Sequence, residues 1–152
     1  MVPTKFGIAF TAKFMNQAAA LVHIYLDGTV LVTVGGTEMG QGLFTKLIAV
    51  AARELEISVE KVRITEPAPD KIPTASPPAA SASSDLYGAA VQNACQELME
   101  RLAPYRNTSK EEQEEGGDDD RFHKAVTKAY FDRVNLSCQA FYKTPGCGFD
   151  WD

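Results

Sequence analysis

The chain has 152 residues, 45% hydrophobic and 23% charged, which suits one globular domain with a sizeable core and is too short for most multi-cofactor enzymes. Its formal charge of −5 has one address: Lys110 to Arg121 (KEEQEEGGDDDR) carries −5 by itself, and the remainder is formally neutral. A neutral body with a short acidic tuft gives no reason to expect nucleic acid or an anionic membrane as partner, and no apolar run approaches the ~20 residues of a membrane span.

The first residues, MVPTKFGIAF, lack the basic start and long apolar stretch of a signal peptide. From Ala19 the chain reads as two strands, Leu21–Leu26 and Thr29–Val34, joined at Asp27-Gly28 by a two-residue hairpin turn. The period then changes. Phe44, Leu47, Ile48, Ala51 and Leu55 fall at helical spacing, predicting an amphipathic helix over Leu43–Glu56. Lys61–Glu66 (KVRITE) reads as a short strand, and Pro67, Pro69, Pro73, Pro77 and Pro78 forbid regular structure after it. A second helix is expected over Ser84–Leu102, capped by Ser84 and stopped by Pro104. Residues 107–121 read as an acidic flexible insert. A shorter helix over Arg121–Phe131 and an alternating strand over Val134–Tyr142 complete the chain. Strands and helices mix without a regular βαβ repeat, so the class is α+β.

Three segments could carry chemistry. Gly35-Gly36-Thr37-Glu38-Met39-Gly40-Gln41-Gly42 lies between a strand and a helix, where four glycines allow positive φ and close approach of a ligand. The helix N-terminus behind it would aim free N–H groups at an anion, and the Gln41 amide offers both a donor and an acceptor. The Walker and dinucleotide fingerprints both fail here, and a glycine-rich turn with no ligand fits the same pattern. Ser76 to Asp85 (SPPAASASSD) is a second small-residue run leading into a helix, where an anionic ligand could sit; composition alone favours a linker with a helix cap. Phe6 and Phe10 with Thr11 could wall a flat heterocycle, or serve as core. Glu38 and Glu66 read as isolated carboxylates, His23 as a packed strand residue, and no nucleophile is paired with a base. Cys95, Cys138 and Cys147 form no C-x-x-C and read as reduced thiols of a cytosol-like compartment.

PTKFGIAFT, ALVHIYLDGTVLVTVGG, TEMGQGL, SPPAASASSDLYGAAV and FYKTPG together closely resemble the molybdenum-cofactor domain of the xanthine dehydrogenase and aldehyde oxidase family. The resemblance runs from Val2 nearly to Asp152 and is weakest at the acidic tuft. It implies that Met39, Gly40 and Gln41 line the pterin pocket, with Gln41 donating a hydrogen bond. It also implies that Ala80 sits closest to the molybdenum while Ser81, Ala82 and Ser83 continue the cradle. Phe10 and Thr11, with Ala79, match the purine pocket, and Phe6 matches an apolar channel position. The Phe10-Thr11 pair fits the xanthine-oxidising version, whereas GFDWD is shared with some aldehyde oxidases. Pro78 stands where the xanthine enzymes usually have Thr, and Phe44 replaces a common His.

The resemblance implies part of an oxidoreductase that hydroxylates hypoxanthine- or xanthine-like purines to urate at molybdopterin. Electrons would leave through two [2Fe–2S] clusters and FAD to NAD or oxygen, in a cytoplasmic or peroxisomal homodimer. The family's general base, cluster cysteines and flavin domain have no counterpart in these residues. Residues 1–152 are therefore expected to form a partial cofactor domain, dependent on the remaining domains and inactive alone. Apolar surface should be left uncovered, making the isolated chain poorly soluble. The alternative expectation is a stand-alone, non-enzymatic domain binding a pterin, a nucleotide or another protein.

Overall fold

The computed structural model describes residues 1–4, 7–67, 70–73, 75–106 and 117–146. Within these, strands β1 (Gln17–Ile24), β2 (Val30–Val34), β3 (Val62–Ile64) and β4 (Ser137–Lys143) form one mixed sheet in the order β3-β2-β1-β4. Helices α1 (Leu43–Leu55), α2 (Ser83–Arg106) and α3 (Asp118–Phe131) join it around one core. The class is α+β, as the sequence predicts. The β2–α1–β3 stretch supplies the single parallel pairing, and β1 runs antiparallel to both β2 and β4.

The β1–β2 register sets Ala20 against Val34, Val22 against Val32 and Ile24 against Val30. All six are core residues, because period-2 alternation puts them on one face of the sheet. Leu43, Leu47, Ala51 and Leu55 of α1 close over that face, joined by Leu86, Ala90, Ala94, Leu98 and Leu102 of α2. Fully burying a leucine or valine contributes about 1.5–3 kcal/mol, so this seam dominates the cohesion of the domain. Cys95 and Cys138 are buried free thiols within it, and burial pushes them up to about 12 and about 11. Cys147 lies outside the described residues.

Several boundaries differ from the sequence reading, each for a local reason. The hairpin loop has three residues rather than two. Gly28 N–H donates to Tyr25 O, and Tyr25 N–H donates to Thr29 O, with Gly28 at φ +78°. A turn followed by a left-handed glycine is the usual three-residue hairpin, and Asp27 Oδ1 holds it by accepting from Thr29 N–H and Oγ1–H. Pro104 does not stop α2, which continues to Arg106. A proline in the last turn forfeits one backbone bond, while buried Leu102, packed Tyr105 and an Arg106–Glu56 ion pair hold that turn in place. Ser84 lies within the first turn of α2 rather than at its cap. Helix α3 begins three residues early, so Asp118, Asp119 and Asp120 of the acidic stretch form its first turn, at the positive end of the helix dipole. Asp119 also anchors it by accepting from Ser58 N–H and Oγ–H, both at 2.7 Å. Residues 107–116 lie outside the described residues.

Large apolar side chains do remain uncovered: Ile8 is 66% exposed, Phe14 74% and Phe131 73%. Among the described residues no helix is long and apolar enough to cross a membrane.

Candidate functional site

Helices α1 and α2 run parallel. Lys46 near the start of α1 donates from Nζ to Ser84 Oγ near the start of α2, at 3.1 Å. Further along, Glu54 accepts from Gln92 and Gln96. Both N-termini, and both small-residue loops that feed them, therefore emerge at one end of the domain. Residues 43–75 separate these loops in the sequence; the parallel helices bring them together.

The four glycines of the first loop divide into two pairs with different tasks. A Cβ on Gly35 would stand 2.8 Å from Ala75 Cβ, and one on Gly36 would stand 2.8 Å from Leu43 Cδ2 and from the Tyr87 ring. These two are packed against Ile72, Ala75, Leu43 and Tyr87, which corrects the reading of all four as ligand-approach positions. Gly40 and Gly42 are the reverse, with φ +95° and +75° and open space where a Cβ would stand. Their backbone is free to be approached.

Between them the chain closes on itself. Gln41 Oε1 accepts from Met39 N–H at 2.5 Å, and Gln41 Nε2 donates to Thr37 O at 2.9 Å. Glu38, read in the sequence as isolated, accepts at Oε1 from Gly40 and Gly42 N–H (2.8 and 3.0 Å) and at Oε2 from Phe44 N–H (3.0 Å). The Phe44 bond, with those of Gly42 and Gly40, holds the Glu38 carboxyl below its usual range. The α1 N-terminus, expected to offer free donors to an anion, is already filled by the chain's own carboxylate. Met39 stays 65% exposed.

The second loop is held differently. Ala79 N–H donates to Pro77 O and Ala82 N–H to Ala79 O, bracketing Ala80 and Ser81 at φ +53° and +54°. Two consecutive left-handed positions without glycine carry roughly 1–2 kcal/mol of strain each. Buried groups beneath impose it: Tyr87 Oη–H donates to Ser76 O at 2.7 Å, and Ser76 Oγ–H reaches Met15 O. Burial pushes the Tyr87 phenol up to about 12, so it remains a donor. Ala79 and Ser81 are exposed, and Ala80 and Ser83 are half-buried. Ala82 is buried in the core, its N–H and C=O both engaged.

Met15 links this loop to the first segment. Buried Asn16 accepts from Phe10 N–H at 2.8 Å and donates to Phe10 O at 2.9 Å and Ala12 O at 3.4 Å. Phe10 packs half-buried against the core beside exposed Thr11. Phe6 lies outside the described residues. Asn16 and Tyr87 passed unnoticed in the sequence, and Glu38 was noticed without its role; a side chain that serves a backbone group outside its own element leaves no periodic signal. Among the described residues, no group of three His, Cys, Asp or Glu side chains could hold a metal ion.

A sequence profile described as the molybdopterin cofactor-binding domain matches residues 1–152. The chain is 54% identical over 151 residues to a xanthine dehydrogenase of Oryza sativa subsp. japonica, covering 99% of this chain and 10% of the relative. It is 49% identical over 152 residues to a xanthine dehydrogenase/oxidase of Felis catus, covering all of this chain and 11% of that one. The chain thus spans about a tenth of the length of these relatives. Among solved structures, the fold is similar to quinoline 2-oxidoreductase from Pseudomonas putida 86, with TM-score 0.70 and 22% identity over 85% of this chain and 19% of that one. It is also similar to a Cu,Mo-CO dehydrogenase, with TM-score 0.71 and 18% identity over 88% of this chain and 19% of that one.

Proposed function

The chain belongs to the molybdopterin cofactor-binding domain family, and from that premise we propose that it forms one wall of the molybdenum site of a xanthine dehydrogenase-type hydroxylase. The observation that carries this reading is the convergence of the Thr37–Gly42 and Ser76–Ser83 loops at the shared end of α1 and α2. The residues fit a flat, anionic cofactor. Gly40 and Gly42 leave open space on their Cβ side while Glu38 holds their N–H groups, and Ala80 and Ser81 form a strained, pre-set turn at the same end of the domain.

Molybdopterin, when bound, would supply the redox centre for hydroxylating a purine or related aromatic heterocycle. This chain's residues bind and orient. Met39, Gly40 and Gln41 would line the pterin. Gln41 Nε2 keeps one N–H on Thr37 O and has a second for the ligand. Ala80, beside the metal, with Ser81 and Ser83 would continue the cradle, and small side chains there admit close approach. Ala79, Phe10 and Thr11 would face substrate, with Asn16 fixing the Phe10 backbone from behind. No general base is assigned to these residues, so catalysis depends on the remaining domains. Those would carry FAD and two [2Fe–2S] clusters, deliver electrons to NAD or oxygen, and assemble as a cytoplasmic homodimer.

In the full-length enzyme, Gln41→Ala should weaken cofactor retention by about 1–3 kcal/mol, the cost of leaving a buried acceptor without its donor. Metal analysis of the purified protein reads this directly, and unchanged molybdenum content would remove Gln41 from the site. The isolated 152-residue chain should show no purine hydroxylation; turnover by it would overturn the division of labour.

A further inference from the structure

Four backbone N–H groups of the first loop are claimed by side chains only a few residues away. Glu38 takes those of Gly40, Gly42 and Phe44, and Gln41 takes that of Met39. A segment with glycines at 40 and 42 has unusual conformational freedom, and nothing apolar covers those glycines. Three bonds to a single carboxylate select one conformer from that range, the one that holds Gly40 and Gly42 at positive φ. Gln41 acts within the frame so formed, since Thr37 O and Met39 N–H lie on either side of Glu38.

We propose that Glu38 is a positioning residue: its carboxylate occupies the N-terminus of α1 in place of a ligand anion and locks the loop that presents Met39, Gly40 and Gln41 to the cofactor. The proposal rests on the cofactor reading given above. The reach of the side chain is part of the design. Aspartate, one methylene shorter, cannot span from residue 38 to the Phe44 amide. Glutamine keeps the shape but offers one carbonyl oxygen, and its NH₂ group would oppose the Phe44 N–H. Glu38→Ala, which removes every acceptor, and Glu38→Gln, which keeps one, therefore form a graded pair.

The test uses the full-length enzyme with Glu38→Ala, Glu38→Gln and, as a control, Gln41→Ala. Amide hydrogen exchange over residues 38–45 is measured on the cofactor-free form, and molybdenum content and the thermal midpoint are measured after loading. Glu38→Ala should exchange tenfold or more faster through Gly40, Gly42 and Phe44 and retain at least fivefold less molybdenum. Glu38→Gln should lose protection mainly at Phe44 and recover most of the metal, a rescue that tracks loop order rather than the thermal midpoint. Unchanged exchange in Glu38→Ala overturns the proposal whatever the metal content. Full molybdenum in Glu38→Ala with depletion in Gln41→Ala overturns the role of Glu38 alone; full molybdenum in both overturns the cofactor reading beneath it. If Glu38→Ala does not fold, Glu38→Gln decides: protection at Phe44 equal to the parent's refutes the lock.

Discussion

The two loops at the shared end of α1 and α2 solve one problem by opposite means. The loop around Met39 uses glycines for its left-handed positions and is fastened from above, by half-buried Glu38 and exposed Gln41. The loop around Ala80 forces ordinary residues into left-handed positions and is fastened from below, by buried Tyr87 and Ser76. The first loop is held by hydrogen bonds to an ionised carboxylate; the second is held by hydrogen bonds from buried, neutral side chains. A site built this way has one wall that depends on ionisation and one that depends on the core.

The contrast can be broken most forcefully at Gly36, where the core side of both loops meets. Gly36→Ala should cost about 1–3 kcal/mol, because the added methyl meets Leu43 and the Tyr87 ring at once. A urea midpoint equal to the parent's would show that the second loop does not rest on this contact.

Ala80→Gly tests the strain. Relief of a left-handed alanine, set against the greater unfolded-state freedom of glycine, should leave a net gain of up to about 1 kcal/mol. A loss of stability by the same measurement would mean that the turn stores no strain at this position.

The smallest effect is local and sharpens the difference between the loops. The folded pKa of Glu38 is depressed, so its contribution to the first loop is present above the ordinary value of 4.5 and is lost as pH falls through the lower, folded value. Amide exchange, corrected for its intrinsic pH dependence, should accelerate there on acidification at Gly40, Gly42 and Phe44. At Ala82 it should not, since its N–H donates to a backbone carbonyl. Equal responses at the two loops would erase the distinction.

Much of the architecture was legible because it is periodic. The 3.6-residue stripe of α1 and the alternation of β1 and β2 follow from which side chains must leave water; α1 and β2 appear close to their expected bounds, while β1 spans Gln17–Ile24 rather than Leu21–Leu26. The ends were less legible because they answer to distant partners. Asp119 pulls the start of α3 upstream by bonding to Ser58, 61 residues earlier in the chain, and Arg106 carries α2 past a proline by pairing with Glu56. The candidate site was legible as motifs and not as roles. GTEMGQG and AASAS are visible in the sequence, yet nothing in it separates Gly36, which packs, from Gly40, which stays open.

The sequence by itself determined the α+β class, the family and the two segments of the candidate site, since all three depend on residue type and local spacing. Only the tertiary structure decided that α1 and α2 lie parallel with both loops at one end, that Glu38 fills the α1 N-terminus, and that Ala82 faces the core. The reason is physical. Periodicity reports which face of an element is buried, whereas the partner of a single polar group is fixed by where the rest of the chain comes to lie.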